Sequence, residues 1–166
     1  MPELSENATM LPLRAGVEAR DLAAVVNAFA SDAVVHSPIT GILTFTGHEQ
    51  IGAVFGVILD VFKDIRYTDE LRGAGSAVLV ASAQVDGTDI QLVDHMRLDE
   101  SGKISELTVF FRPMPAIAVS ARAIGEGLGV RRSRSRARVI SALVRPLIPL
   151  TRVGDRIGAR LIGPTL

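Results

Sequence analysis

The sequence predicts an α+β fold, helices first and a run of antiparallel strands after them. Apolar residues recur at helical spacing over residues 22–29 and again over 48–63. From Ile65 onward short apolar runs alternate with turn signals, among them Asp86-Gly87, a two-residue hairpin signature. A hydrophobic content of 48% with 22% charged residues over 166 residues supports one domain with a real core and is short for two.

Residues up to about Arg20 read as a first helix, with Thr9 as candidate N-cap, Pro12 tolerated near the helix start and Gly16 lowering its regularity. Asp21 caps a second helix over 22–29, with Leu22, Val25, Val26 and Phe29 on one face. Residues 31–38 read as a turn into a short strand ended by Pro38. Residues 39–46 connect, punctuated by Gly41 and Gly47. The third helix runs from His48 to about Lys63 with Ile51, Val54, Phe55, Ile58, Leu59 and Phe62 as its apolar stripe, and Glu49 favoured by the dipole of the first turn. Strands follow at 65–71 and 77–85, the latter apolar on both faces, as a strand covered from both sides must be. A last strand pair covers 90–98 and 104–111, joined by a loop at 99–103.

That last pair holds the sharpest chemical hint. Alternation puts Ile90, Leu92, Met96 and Leu98 on one face, with Asp94 in their midst. A carboxylate among aliphatic side chains costs free energy unless something pairs with it or uses it. Two readings stand: a structural carboxylate that caps a helix or pairs with an arginine such as Arg14, or a polar group in a pocket whose pKa is raised by its surroundings.

Glu18-Ala-Arg-Asp-Leu22, Phe29-Ala-Ser-Asp-Ala33, His36-Ser-Pro38, Thr46-Gly-His-Glu-Gln-Ile51 and Asp94-His-Met-Arg-Leu-Asp-Glu-Ser-Gly-Lys-Ile104 occur in this order. The ordered set resembles the nuclear transport factor 2-like superfamily, in particular its SnoaL-like and ketosteroid isomerase-like members, over roughly residues 11–112. The resemblance implies a curved antiparallel sheet wrapped round the N-terminal helices as a cone, an apolar pocket inside and a homodimer packed through the sheet's outer face. It also implies that Asp94, matching an aspartate that donates a hydrogen bond to an enolate in the isomerases, acts as a general acid. The other isomerase groups are missing. His36-Ser37-Pro38 puts a serine where that family keeps its base, and Leu13 falls where it keeps a tyrosine, so ketosteroid isomerisation by the family mechanism is not expected. His36 is the remaining candidate base. In the family's register it points away from the cavity and Ser37 into it, an order that a bend at Pro38 reverses. His95 should face the sheet's other side and His48 should be solvated. Histidines this scattered give no metal spacing, and nothing reads as a cofactor site.

Resemblance and alternation together put Val35, Ser37, Leu92, Asp94, Met96, Leu107, Val109 and Phe111 on the pocket wall, with Phe29, Phe55, Leu59 and Phe62 from the helices. A mostly apolar wall with one carboxylate suits a small lipophilic molecule carrying one oxygen function. Three functions stay open: a small-molecule binder; an isomerase, cyclase or hydrolase acting on a steroid- or polyketide-like substrate with Asp94 as acid; or a dimeric membrane-associated interaction module.

The chain divides at 1–115, 116–129 and 130–166: a cone domain, a helix loosened at a hinge by Gly125, Gly127 and Gly129, and an arginine-rich tail. Through Gly129 there are 9 basic and 17 acidic residues, a balance of −8; beyond it 9 arginines face Asp155 alone, a balance of +8. Residues 139–150 are apolar and broken by Pro146 and Pro149. Arg152, Arg156 and Arg160 then recur beside Val153, Ile157 and Leu161, so one helix face is basic and the next apolar. The stretch from Arg131 to Arg160 suits an anionic membrane surface, or the acidic body or a partner subunit, over the cone's mouth. Nucleic acid is disfavoured because the tail has no aromatic residue for stacking. With no cysteine, and acids where an export signal needs bases, the expected place is the cytoplasm or its membrane periphery.

Overall fold

The computed structural model describes residues 10–162; the Thr9 cap and most of the N-terminal stretch read for an export signal lie outside the described residues. Two short helices open the fold, α1 (Pro12–Glu18) and α2 (Leu22–Asn27). Asp21 caps α2 as expected, its carboxylate accepting from the Ala24 amide at 3.0 Å. The second helix stops at Asn27. Phe29 starts β1 (Phe29–His36) by pairing with Ile104, and its buried ring satisfies both the helical spacing and the strand. Residues 39–46, expected to be plain connection, contain the three-residue strand β2 (Thr44–Thr46) along the edge of β1.

Helix α3 (Gly47–Val61) yields at Phe62 to β3 (Phe62–Gly73), because Phe62 and Lys63 pair with Val85 and Gln84. Then come β4 (Ser76–Val85), β5 (Thr88–Leu98) and β6 (Ile104–Arg112). Asp86 and Gly87 both adopt positive φ, 46° and 69°, the backbone that a two-residue hairpin requires. The sheet order is β2-β1-β6-β5-β4-β3. Its pairings are antiparallel except β1 with β6, which run parallel, so the expected all-antiparallel sheet has one parallel seam.

The sheet's inner face carries the core. Along β4, Ala77, Leu79, Ala81, Ala83 and Val85 are buried, whereas Val78 and Val80 on the other face are only half-buried. Within one chain the strand is therefore covered from one side, not the expected two. Helix α3 lays Ile51, Val54, Phe55 and Leu59 against the inner face, and Phe29–Phe55 and Phe62–Phe111 ring pairs at 5.5 and 5.9 Å tie the layers together. Each such buried side chain contributes on the order of 2 kcal/mol by leaving water.

Three further helices complete the chain: α4 (Met114–Arg132), α5 (Arg134–Val144) and α6 (Leu147–Ile162). The hinge expected at Gly125, Gly127 and Gly129 is absent. Helix α4 runs unbroken through them and ends at Ser133, whose hydroxyl caps α5. Each glycine sits where another element comes close: an added Cβ would lie 2.6 Å from Ile140, 2.4 Å from Val57 and 2.8 Å from the Ala137 backbone, respectively. The helix tolerates three residues of low propensity because packing, not propensity, holds it. Of Pro146 and Pro149 the first falls between helices, whereas Pro149 lies in the first turn of α6, where its missing N–H needs no partner. Helix α4 packs on α3 and on β4, β5 and β6, burying Ala116, Val119 and Ile124.

Candidate functional site

A cavity of about 140 Å³ lies between the inner face of β1 and β6, helix α3 and helix α4. Val35, Phe55, Val109 and Phe111 line it, together with Ile39 and Phe45 from the β1–β2 edge and Val54 and Ile58 from α3. Ala121, Ile124, Gly125 and Leu128 of α4 form its roof. Ser37 is the polar residue that comes from β1's end, and its hydroxyl is engaged by the Ile39 amide at 3.2 Å. Of the wall expected from resemblance and alternation, Val35, Ser37, Phe55, Val109 and Phe111 are therefore at the cavity. Leu59, Leu92, Met96 and Leu107 instead belong to the packed core, because α3 and α4 fill the space over the middle of the sheet. Ala121, Ile124 and Leu128 were missed by sequence reasoning: their helix was legible, but not that it crosses the open end of the sheet.

Asp94 lies one strand beyond this cavity. In the ladder it stands between Leu79 and Val109, and Val109 lines the cavity. Its residue is 8% exposed, and among the described residues its carboxylate has no hydrogen bond or ion pair. Burial alone lifts its pKa from 3.8 to about 7. The alternative partner, Arg14, is engaged elsewhere: it pairs with Glu18 at 2.9 Å and Glu70 at 3.6 Å, and its guanidinium lies 5.6 Å from the centre of the Tyr67 ring.

Tyr67 is a second polar group on the inner face, one that sequence reasoning passed over. It sits on the inner side of β3, opposite Ala81, with its phenol largely desolvated. Burial raises its pKa well above the usual phenol range, and the charges of Asp94 and Glu18 raise it further while Arg14 opposes them. Its strand pattern, Ile65 and Tyr67 turned inward between exposed residues, was the available signal. A third buried polar group, Ser120 of α4, is fully buried with an unpartnered hydroxyl.

His36 is not brought to Asp94. Val35 points to the cavity, so His36 points to the sheet's outer face, where Nε2 meets Glu106 at 3.2 Å and Glu106 in turn meets Arg97 at 3.3 Å. The backbone does not reverse at Pro38, and the expected alternation holds. His36 therefore cannot serve as base to Asp94 across the cavity. His95 is exposed on a position that alternates with Asp94, as expected. His48, expected to be solvated, is partly buried and donates from Nε2 to the Phe29 carbonyl at 3.0 Å, linking α3 to β1. No three His, Asp or Glu side chains among the described residues converge in a way that could hold a metal.

A six-stranded open sheet folded over helices, with a cavity at one end and a buried carboxylate on its inner face, defines a nuclear transport factor 2-like protein. The chain belongs to the SnoaL-like family: the SnoaL-like domain profile matches residues 13–107, more than half of it. Among solved structures it is similar to a steroid delta-isomerase from Pseudomonas aeruginosa, with 29% identity over 75% of this chain and 88% of that one and a TM-score of 0.62. It is also similar to an uncharacterised bacterial protein with a cystatin-like fold from Silicibacter pomeroyi, at 24% identity over 75% and 86% of the two chains and a TM-score of 0.65. The epoxide hydrolase/cyclase-like enzyme SalBIII of salinomycin pyran ring formation shares the fold at 21% identity, with a TM-score of 0.51 over 59% of this chain and 83% of that one. No curated protein matches. Among the described residues no helix is long and apolar enough to cross a membrane.

Proposed function

We propose that this SnoaL-like protein binds a small lipophilic molecule of about one ring in the cavity under α4, with Asp94 as its main polar contact. The apolar cavity of about 140 Å³ carries the reading. That is close to the roughly 150 Å³ of an engineered apolar hole that takes benzene. It is well below the ~300–1,000 Å³ of sites for drug-sized ligands, so a steroid nucleus does not fit while α4 is in place. A molecule seated against Val109 has Asp94 on the next strand, and near neutral pH that carboxyl is about half protonated and can donate to an oxygen. Thermal-shift and NMR titration with toluene, cyclohexanol and cyclohexanone test this. Saturable binding is expected, with cyclohexanol and cyclohexanone losing affinity in Asp94→Leu and all three losing it in Ala121→Phe, which fills the roof. Absence of binding by all three probes would sink the reading. Equal binding by Asp94→Leu would remove Asp94 from it.

Catalysis with Asp94 as general acid is the second reading, favoured by Tyr67 and by the 29% identity to a steroid delta-isomerase. Two neutral hydroxyl donors on one inner face suit a developing oxyanion. No base is brought to them, since Ser37 stands at the end of β1 and His36 faces outward.

We also propose that the protein pairs through the sheet's outer face into a homodimer. Phe110 is 57% exposed there, beside Val80 and Val93, in a groove of about 310 Å³.

A further inference from the structure

The tail helices return to the body by one face only. Ala137 is buried at Gly129, Ile140 meets Gly125, Ile148 packs against the core, and Arg152 donates to the Thr88 hydroxyl at 3.0 Å. On the far side of α6, Leu150, Val153, Ile157 and Leu161 follow at three- and four-residue spacing and are between 50% and 79% exposed. Val139 and Leu143 add exposed aliphatic surface on α5. No aromatic residue interrupts it.

The charge on these helices is not used internally. Helices α5 and α6 carry six arginines (134, 136, 138, 152, 156 and 160), with Arg145 between them, against Asp155 alone, and none of the seven forms an ion pair among the described residues. Had the tail evolved to neutralise the acidic body, those pairs would be present. By helical spacing Arg156 and Arg160 lie immediately beside the Val153–Ile157–Leu161 stripe.

We propose that the outer face of α5 and α6 docks the protein on an anionic phospholipid surface, aliphatic side chains in the acyl boundary and arginines at the headgroup phosphates. A second copy of the same face would set arginines against arginines. A nucleic acid would satisfy the arginines but leave the aliphatic stripe in water, with no ring to stack on a base.

The test is co-sedimentation of the full chain with phosphatidylcholine vesicles containing about 30 mol% phosphatidylserine, at about 0.05 M and 0.5 M salt. Binding is expected at low salt, falling roughly tenfold or more at high salt and on vesicles of phosphatidylcholine alone. Val153→Asp with Ile157→Asp, both at exposed positions, should lower binding by about tenfold or more without moving Tm, and Arg156→Glu with Arg160→Glu should do the same. Failure to bind anionic vesicles at low salt overturns the proposal, as does binding that either double variant leaves intact. If Val153→Asp with Ile157→Asp instead breaks up a self-association seen without vesicles, the face belongs to a second copy and the proposal is wrong.

Discussion

Replacing Asp94 by Asn should change how stability depends on pH. In the folded chain burial raises the carboxyl from 3.8 to about 7, so between those values the folded state keeps a proton that the unfolded chain has released. Stability contributed at this site is therefore intact below about pH 4, falls as pH rises, and levels off above about pH 7. A shift of roughly 3 units at 1.36 kcal/mol each amounts to about 4 kcal/mol over the whole window, of which about 3 kcal/mol falls between pH 5 and pH 8. Asn keeps the shape and removes the titration. Its amide also lacks partners among Leu79, Val109 and their neighbours, but that penalty does not vary with pH. The experiment is urea unfolding of both proteins at several pH values from 5 to 8, with linear extrapolation to water. Other titrating groups largely cancel in the difference. Asp94→Asn should gain about 3 kcal/mol on the parent as pH rises across that range. A difference that stays flat would refute the idea that this carboxyl is desolvated without compensation. A difference of opposite slope would mean that a partner holds it ionised.

The neighbouring phenol gives an independent check: Tyr67 is the only tyrosine and there is no tryptophan, so alkaline ultraviolet titration reads it alone. It should ionise far above the ordinary phenol range, and Asp94→Asn should bring its pKa down by removing a negative charge. Gly127→Val should cost about 2–3 kcal/mol and lower Tm, since its Cβ would lie 2.4 Å from Val57 where α4 crosses α3. An unchanged Tm would place α4 elsewhere. Phe110→Glu should convert a dimer to a monomer in sedimentation velocity, with the fold intact by circular dichroism; an unchanged sedimentation coefficient would remove the outer face as the interface.

Asp94 was legible because strand alternation is strict: once Leu92 and Met96 face inward, Asp94 must as well. The same rule sent His36 and His95 outward from Val35 and Asp94. Phe29 was harder, because a residue that ends a short amphipathic helix and one that starts a strand can bury the same ring, and only the pairing with Ile104 distinguishes them. The glycines of α4 were misread for a related reason. Their low helix propensity is a local property, whereas the contacts with Ile140, Val57 and Ala137 that require small residues come from elements far along the chain or folded back on it.

By itself the sequence determined the order of the elements other than β2, the α+β class, the hairpin at Asp86-Gly87, the inward carboxylate and an amphipathic, arginine-rich end. All of these follow from local spacing, turn chemistry and charge. The tertiary structure alone decided that α4 roofs the cavity, that the cavity opens over β1 and β6 rather than over Asp94, that Tyr67 stands near that carboxylate, and that α6 turns its aliphatic stripe away from the body. Those features depend on how whole faces cross one another, and a crossing is set by complementary shapes brought together from distant parts of the chain, which no local pattern records.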